Sequence, residues 1–242
     1  MDRIERGCIR VTERVKNRRE GGSGGAADPR RGGSQQGEDA VASGGPVGNP
    51  EPAAPPENPI DAARRRAIGN PDDPVARLDL ADLYRERGDL LLALEQLESA
   101  RNTAPENVDV LVRLGTVLGL LGRSTEAEKE LRRAQRLDPQ RPDVHNQLGL
   151  VLFKRGLYRQ AEVELQRAIE LDDRNADAYF YRGEALNQLG RVDDALEMLE
   201  RAVQFQPSNA KAYYTMGILY DRKHLRQEAT TMYRKAREIG AA

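Results

Sequence analysis

The small residues of this chain return at a fixed interval of thirty-four. Frames opened at 74, 108, 142, 176 and 210 put Ala93, Ala127, Ala161, Ala195 and Ala229 at position 20. They put Ala100, Ala134, Ala168, Ala202 and Ala236 at position 27. Position 8 holds Ala81, Gly115, Gly149, Gly183 and Gly217, and position 15 holds Gly88, Gly122, Gly156 and Gly190, broken by His224. Pro105, Pro139 and Pro207 fall at position 32, with Asp173 and Ala241 as exceptions.

Spacing that survives while other letters drift marks places where backbones meet. Small residues at positions 8 and 20 let two antiparallel helices touch, and alanine at 27 lets the second helix abut the next frame. Glycine at 15 ends the first helix, where left-handed backbone costs it little. Proline at 32 follows the second helix, which it cannot continue. Between these points larger apolar residues fall at helical spacing, such as Leu148, Leu152, Leu165 and Leu171, and fill the groove between helices.

This arrangement resembles the tetratricopeptide repeat, a helix–turn–helix unit of the same length with the same alternation of small and large residues. The resemblance implies an all-α fold, a right-handed superhelical solenoid of antiparallel helix pairs. The frames are then five repeats, 74–107, 108–141, 142–175, 176–209 and 210–242, and five exceed the three or so needed for an independent core. Residues 58–73 read as an N-terminal capping helix, with Asn58 as N-cap and Pro59 in the first helical position. Two arginines depart from the pattern: Arg77, at the edge of the array, and Arg182, where the other frames have Leu80, Leu114, Leu148 and Met216. Arg182 is expected either to reach outward or to pair with a neighbouring carboxylate. The final helix either seals the array by its own polarity or leaves an open end for self-association.

Upstream of the repeats the composition changes. Residues 21–57 contain ten glycines and six prolines, too little burial to offset the entropy of ordering, and read as a disordered linker. Residues 1–20 carry seven Lys/Arg against four Asp/Glu, with Ile4, Cys8, Val11 and Val15 on one helical stripe. They read as a basic tail, either frayed in solvent or able to touch an anionic membrane or a partner. No apolar run approaches the roughly eighteen residues of a spanning helix, and the charged N-terminus lacks a secretory signal core. With one cysteine, Cys8, there is no internal disulfide, so a cytoplasmic protein is expected.

The inventory argues against catalysis. The two histidines, His145 and His224, lie in different frames without a second ligand at metal spacing, and no phosphate-cradling glycine motif occurs. No catalytic residue, metal or cofactor is therefore expected. His145 sits where Leu111, Tyr179 and Tyr213 sit in other frames, so it reads as a packing residue. The net charge of −1, with the repeat region also near neutral, argues against nucleic acid as a partner.

The family resemblance implies that the first helices line a concave groove for a peptide or protein segment. Carried over by register, the candidate groove residues are Val112, Asn146, Leu150, Phe153, Lys154, Phe180, Glu184, Tyr214, Ile218 and Arg222. The mixture of aromatic and polar side chains suits a peptide groove, while the same positions also suit packing between repeats. No frame has lysine at position 5 or asparagine at position 9, so the carboxylate clamp of some family members is not expected. Asp109, Asp143 and Asp177 recur at position 2 and either form an acidic stripe or complement the helix N-terminal dipole. The function expected is a non-catalytic interaction scaffold or adaptor. The alternatives are a peripheral membrane adaptor held by residues 1–20, or a substrate-recruiting accessory to a separately encoded enzyme.

Overall fold

The computed structural model describes residues 58–241. The basic tail expected over 1–20 and the linker expected over 21–57 lie outside the described residues. Eleven α-helices and no strand occur among the described residues. α1 (Pro59–Gly69) precedes five pairs: α2 (Pro74–Arg87) with α3 (Leu90–Thr103), α4 (Val108–Leu120) with α5 (Ser124–Leu137), α6 (Pro142–Lys154) with α7 (Tyr158–Leu171), α8 (Ala176–Gln188) with α9 (Val192–Phe205), and α10 (Ala210–Arg222) with α11 (Arg226–Gly240). None of them is long and apolar enough to cross a membrane.

Local chemistry sets the ends of the first helices. The side-chain oxygens of Asn58, Asp73, Asn107, Asn175 and Asn209 accept hydrogen bonds from the first-turn amides of α1, α2, α4, α8 and α10. α6 follows Arg141 and has no such cap. At the other end Gly88, Gly122, Gly156 and Gly190 adopt φ of 75° to 88°, and the chain reverses into the second helix.

His224 occupies the same turn in the last repeat with φ 61°, the one positive-φ residue other than glycine among the described residues. Its β-carbon crowds the following carbonyl there, a strain of about 1–2 kcal/mol. His224→Gly is expected to stabilise the protein by about 1 kcal/mol, read as a higher urea midpoint at unchanged slope. Gly156→Ala should shift the midpoint the opposite way.

Packing repeats with the frames. The position 20 and 27 alanines of the first four repeats are wholly buried at the helix crossings. Leu131, Leu165 and Leu199 each lie directly over the position 8 glycine of the partner helix. The backbones of neighbouring first helices approach each other along the array (α2 with α4, α4 with α6, α6 with α8, α8 with α10), whereas successive second helices stand farther apart and meet only through long side chains. The stack therefore curves, with first helices inside and second helices splayed outside. Ion pairs stitch successive repeats: Arg101–Glu130 at 3.0 Å, Arg141–Asp109 at 2.8 Å and Arg191–Glu162 at 2.7 Å, with Arg132–Glu164 and Arg155–Glu128 between the second and third repeats.

Candidate functional site

The inner face is built from the exposed sides of α2, α4, α6, α8 and α10. The structure distributes the expected groove residues unevenly along it. Position 5 in the first four repeats (Leu78, Val112, Asn146 and Phe180) is only 5–8% exposed, covered by the first helix of the next repeat. Val112, Asn146 and Phe180 are thus largely packing residues that offer the groove an edge. Tyr214, at the same position in the last repeat, is 56% exposed, with no further first helix beside it among the described residues. Leu150, Phe153, Glu184 and Ile218 are half-buried, and Lys154 and Arg222 are exposed.

Polar contacts order this face. Lys154 Nζ donates to the carbonyl of Gly119 at 3.3 Å, and Arg222 Nη1 donates to Asn187 Oδ1 at 2.7 Å, each spanning two successive first helices. Phe153 packs against Tyr158 and Tyr181 at ring separations of 5.5 and 6.0 Å. Burial beside Asp177 and Glu184 pushes the Tyr181 hydroxyl pKa up. Two acceptors on the face are buried without a hydrogen-bond partner: Asn146 Oδ1 and Glu184 Oε1.

The acidic residues at position 2 do not stand as a free stripe. Arg141 bridges Asp109 and Asp143, and its guanidinium holds the Asp143 carboxyl below the usual range against the opposing effect of burial.

A second polar cluster lies between the second and third repeats, where the sequence showed only a packing histidine. His145 is buried, with Nδ1 at 2.8 Å from Glu164 Oε2 and Nε2 at 3.0 Å from the carbonyl of Pro139. Gln135 donates to the same carboxylate at 2.8 Å, and Arg132 pairs with its other oxygen. With an acceptor facing each ring nitrogen, the geometry favours the imidazolium form. The hydrogen bond to Glu164 raises its pKa, burial opposes this, and the Pro139 carbonyl adds to the rise. Glu164 is driven down by His145 and Arg132 together, against its own burial.

Arg182 does neither of the things its position suggested. It is half-buried, its Nη1 lies 3.0 Å from the Met198 sulfur, and its Nε is buried without a partner. The reason is local: position 23 is Glu130 and Glu164 in the second and third repeats but Met198 in the fourth, so no carboxylate meets the guanidinium.

A groove lies at the last helix pair, which the frame reading left either sealed by its own polarity or open. It measures about 880 Å³ and lies at the C-terminal end. Phe180, Tyr214 and Tyr233 supply aromatic surface, Lys211, Arg234 and Arg237 cationic groups, and Glu184 a carboxylate. Tyr214 and Tyr233 rings stack at 5.6 Å, and the Tyr233 hydroxyl donates to Asp221 at 2.8 Å. Its pKa is pushed up to about 12 by desolvation and by the Asp221 carboxylate. The signal available in the sequence was the register: Tyr214 and Tyr233 stand in the last frame where Phe180 and Leu199 stand in the fourth. No cluster of histidine, cysteine and carboxylate suited to a metal occurs among the described residues.

A family model of the tetratricopeptide repeat matches residues 78–142 and 146–210. Among solved structures, MamA is similar at 30% identity and TM-score 0.59, with 67% of this chain and 95% of that one covered. YrrB, described as a TPR protein with an unusual peptide-binding site, is similar at 27% identity and TM-score 0.57, covering 74% and 93%. A MamA fragment from Desulfovibrio magneticus RS-1 shares the fold at 21% identity and TM-score 0.61, covering 69% and 95%. No match was found among curated protein sequences.

Proposed function

Because the chain belongs to the tetratricopeptide repeat family, we propose that it is a non-catalytic scaffold that holds a peptide or protein segment against its inner helix face. The observation that carries this reading is the row of half-buried Leu150, Phe153, Glu184 and Ile218 along the inner helices, beside exposed Lys154 and Arg222. A bound segment covers the apolar side chains and meets the polar ones at its edges. Lys154 and Arg222, already tied to the adjacent helices, frame the row. The peptide-binding site described for YrrB supports the same kind of ligand. As an adaptor of this type the protein presents a rigid surface, and ordering of the ligand is the main entropic cost.

The test is a partner captured by the full-length chain, purified, and titrated against two variants. Leu150→Ser removes a half-buried apolar side chain from the row. It is expected to leave the helical content unchanged while weakening partner binding by about tenfold, a loss of about 1.4 kcal/mol. Glu184→Gln should weaken binding by a similar factor. Unchanged affinity in both variants, with the fold intact, would move the binding surface elsewhere.

A further inference from the structure

We infer that the outer side of the second repeat binds an acidic segment of a partner protein, held by a row of three cations on α5. The site lies on second helices alone, so it is separate from the inner face and does not depend on what that face takes.

The splay of the second helices leaves a depression of about 320 Å³ between α3 and α5, lined by Arg101, Lys129, Glu130, Arg133 and Arg136. Its one carboxylate is already engaged, because Glu130 accepts from Arg101 at 3.0 Å. Lys129, Arg133 and Arg136 stand at i, i+4 and i+7 and so share one stripe of the helix. None of the three has a hydrogen-bond or ion-pair partner among the described residues. Glu126 is within electrostatic reach of Lys129, but Arg123 donates to both of its oxygens at 2.6 Å.

Register sets these cations apart. A positive charge recurs at position 26 as Arg133, Arg167, Arg201 and Lys235. In the third repeat Arg167 donates to Glu170, at position 29, over 3.0 Å, and in the fourth Arg201 donates to Gln204 over 3.2 Å. In the second repeat position 29 is Arg136, so a like charge stands where the acceptor would be. Position 22 adds Lys129, where the first and fourth repeats have Glu95 and Glu197. Three uncompensated positive charges in one depression attract a ligand that brings carboxylates. The stripe rises about 10 Å from Lys129 to Arg136. In an extended chain alternate side chains share a side about 7 Å apart, so two or three acidic residues span it.

A short segment fits this place better than a nucleic acid or a membrane surface does. No aromatic side chain lines the depression to stack a base. The neighbouring second helices carry Glu95, Glu170 and Glu197 on the same stripe, so an anionic surface longer than one repeat would meet carboxylates.

The test uses the full-length chain and the fluorescein-labelled peptide Glu-Gly-Glu-Gly-Glu, with Gln-Gly-Gln-Gly-Gln as the uncharged control. Exposed ion pairs are individually weak, so fluorescence anisotropy is followed to millimolar protein at low salt. The acidic peptide is expected to bind at least about tenfold more tightly than the control, by a margin that shrinks as salt is raised. Arg136→Glu supplies the residue type of Glu170 and gives Arg133 an acceptor. It should leave the melting temperature near that of the parent and abolish the preference. Lys129→Gln/Arg133→Gln should abolish it without placing a carboxylate on the stripe. Leu150→Ser should leave it unchanged, which separates failure here from failure of the inner-face reading. Equal binding of the two peptides, binding of neither, or a preference that survives both α5 variants would overturn the inference. So would tighter binding of a labelled oligothymidylate or of phosphatidylserine vesicles that the α5 variants abolish, which would make a nucleic acid or a lipid surface the occupant.

Discussion

Leu165→Ala is expected to remove about 2–5 kcal/mol of stability, read as a lowered urea midpoint. Leu165 is wholly buried and lies against the backbone of α6 at Gly149, where a β-carbon would come within 2.5 Å of its Cγ and 2.8 Å of its Cδ2. The contact is therefore side chain against bare helix, and nothing on α6 can swell into the space that truncation leaves. Gly149→Ala alone overpacks the crossing, a penalty of about 1–3 kcal/mol, partly offset by the helix preference of alanine over glycine, about 1 kcal/mol. Combined, the new methyl enters the vacated space, so the double variant should lose less than the two singles together. A coupling of about 0.5–3 kcal/mol is expected. Additive losses would mean that the two helices do not meet at this point. The first repeat already has Ala81 beneath Leu97, so the coupling belongs to the glycine-bearing repeats.

The second large effect lies in the cluster around Glu164. Glu164→Ala leaves the His145 imidazolium buried and opposite no carboxylate, and removes the acceptor of Gln135 and Arg132. Loss of one partner from a buried pair costs about 3–5 kcal/mol. The low end applies here, because Arg132 retains Glu128 at 3.9 Å. His145→Leu should cost less, since Leu111 fills the equivalent place in the second repeat. The pH dependence has a definite sign. The folded pKa of His145 lies above its unfolded value, so its stabilisation is complete below about pH 6.5 and is lost as pH rises through the folded value. Glu164 and the Pro139 carbonyl favour the cation, Arg167 and burial oppose it. Melting temperature should therefore fall as pH rises above about 6.5 in the parent protein and fall less in His145→Leu. The Glu164 pKa is depressed, so its own contribution disappears only in acid, as pH falls through its folded value. Parallel pH profiles for parent and His145→Leu would exclude a charged histidine.

The fold was legible because its constraints are local and repeated. Gly149 and Ala161 must be small wherever two helices cross, so the letters betray the crossing without coordinates. The inner face was legible only in direction. Phe180 and Tyr214 occupy the same frame position and are equally aromatic, yet one is covered and the other open, because α10 packs beside α8 and no further first helix packs beside α10 among the described residues. Arg182 shows a different limit: its environment is decided by Met198, a residue in the partner helix whose departure from Glu130 and Glu164 matters only once the two helices are side by side. His145 looked apolar by register, and only the placement of Glu164 and the Pro139 carbonyl around its ring reveals a held charge. The asparagines before the first helices carried a signal of their own: Asn107, Asn175 and Asn209 share one position, and each caps a helix.

Close backbone approach between successive first helices, with successive second helices joined only by long side-chain pairs such as Arg101–Glu130 and Arg132–Glu164, gives the array a mechanical character. When such a stack bends, its pivot line runs along the touching inner row, and the gaps outside open or close. The distance from one inner helix to the next is then nearly conserved while the curvature changes. The inner face acts as a flexible ruler: its graduations keep their spacing however the array is flexed, and a ligand measured against them stays in register.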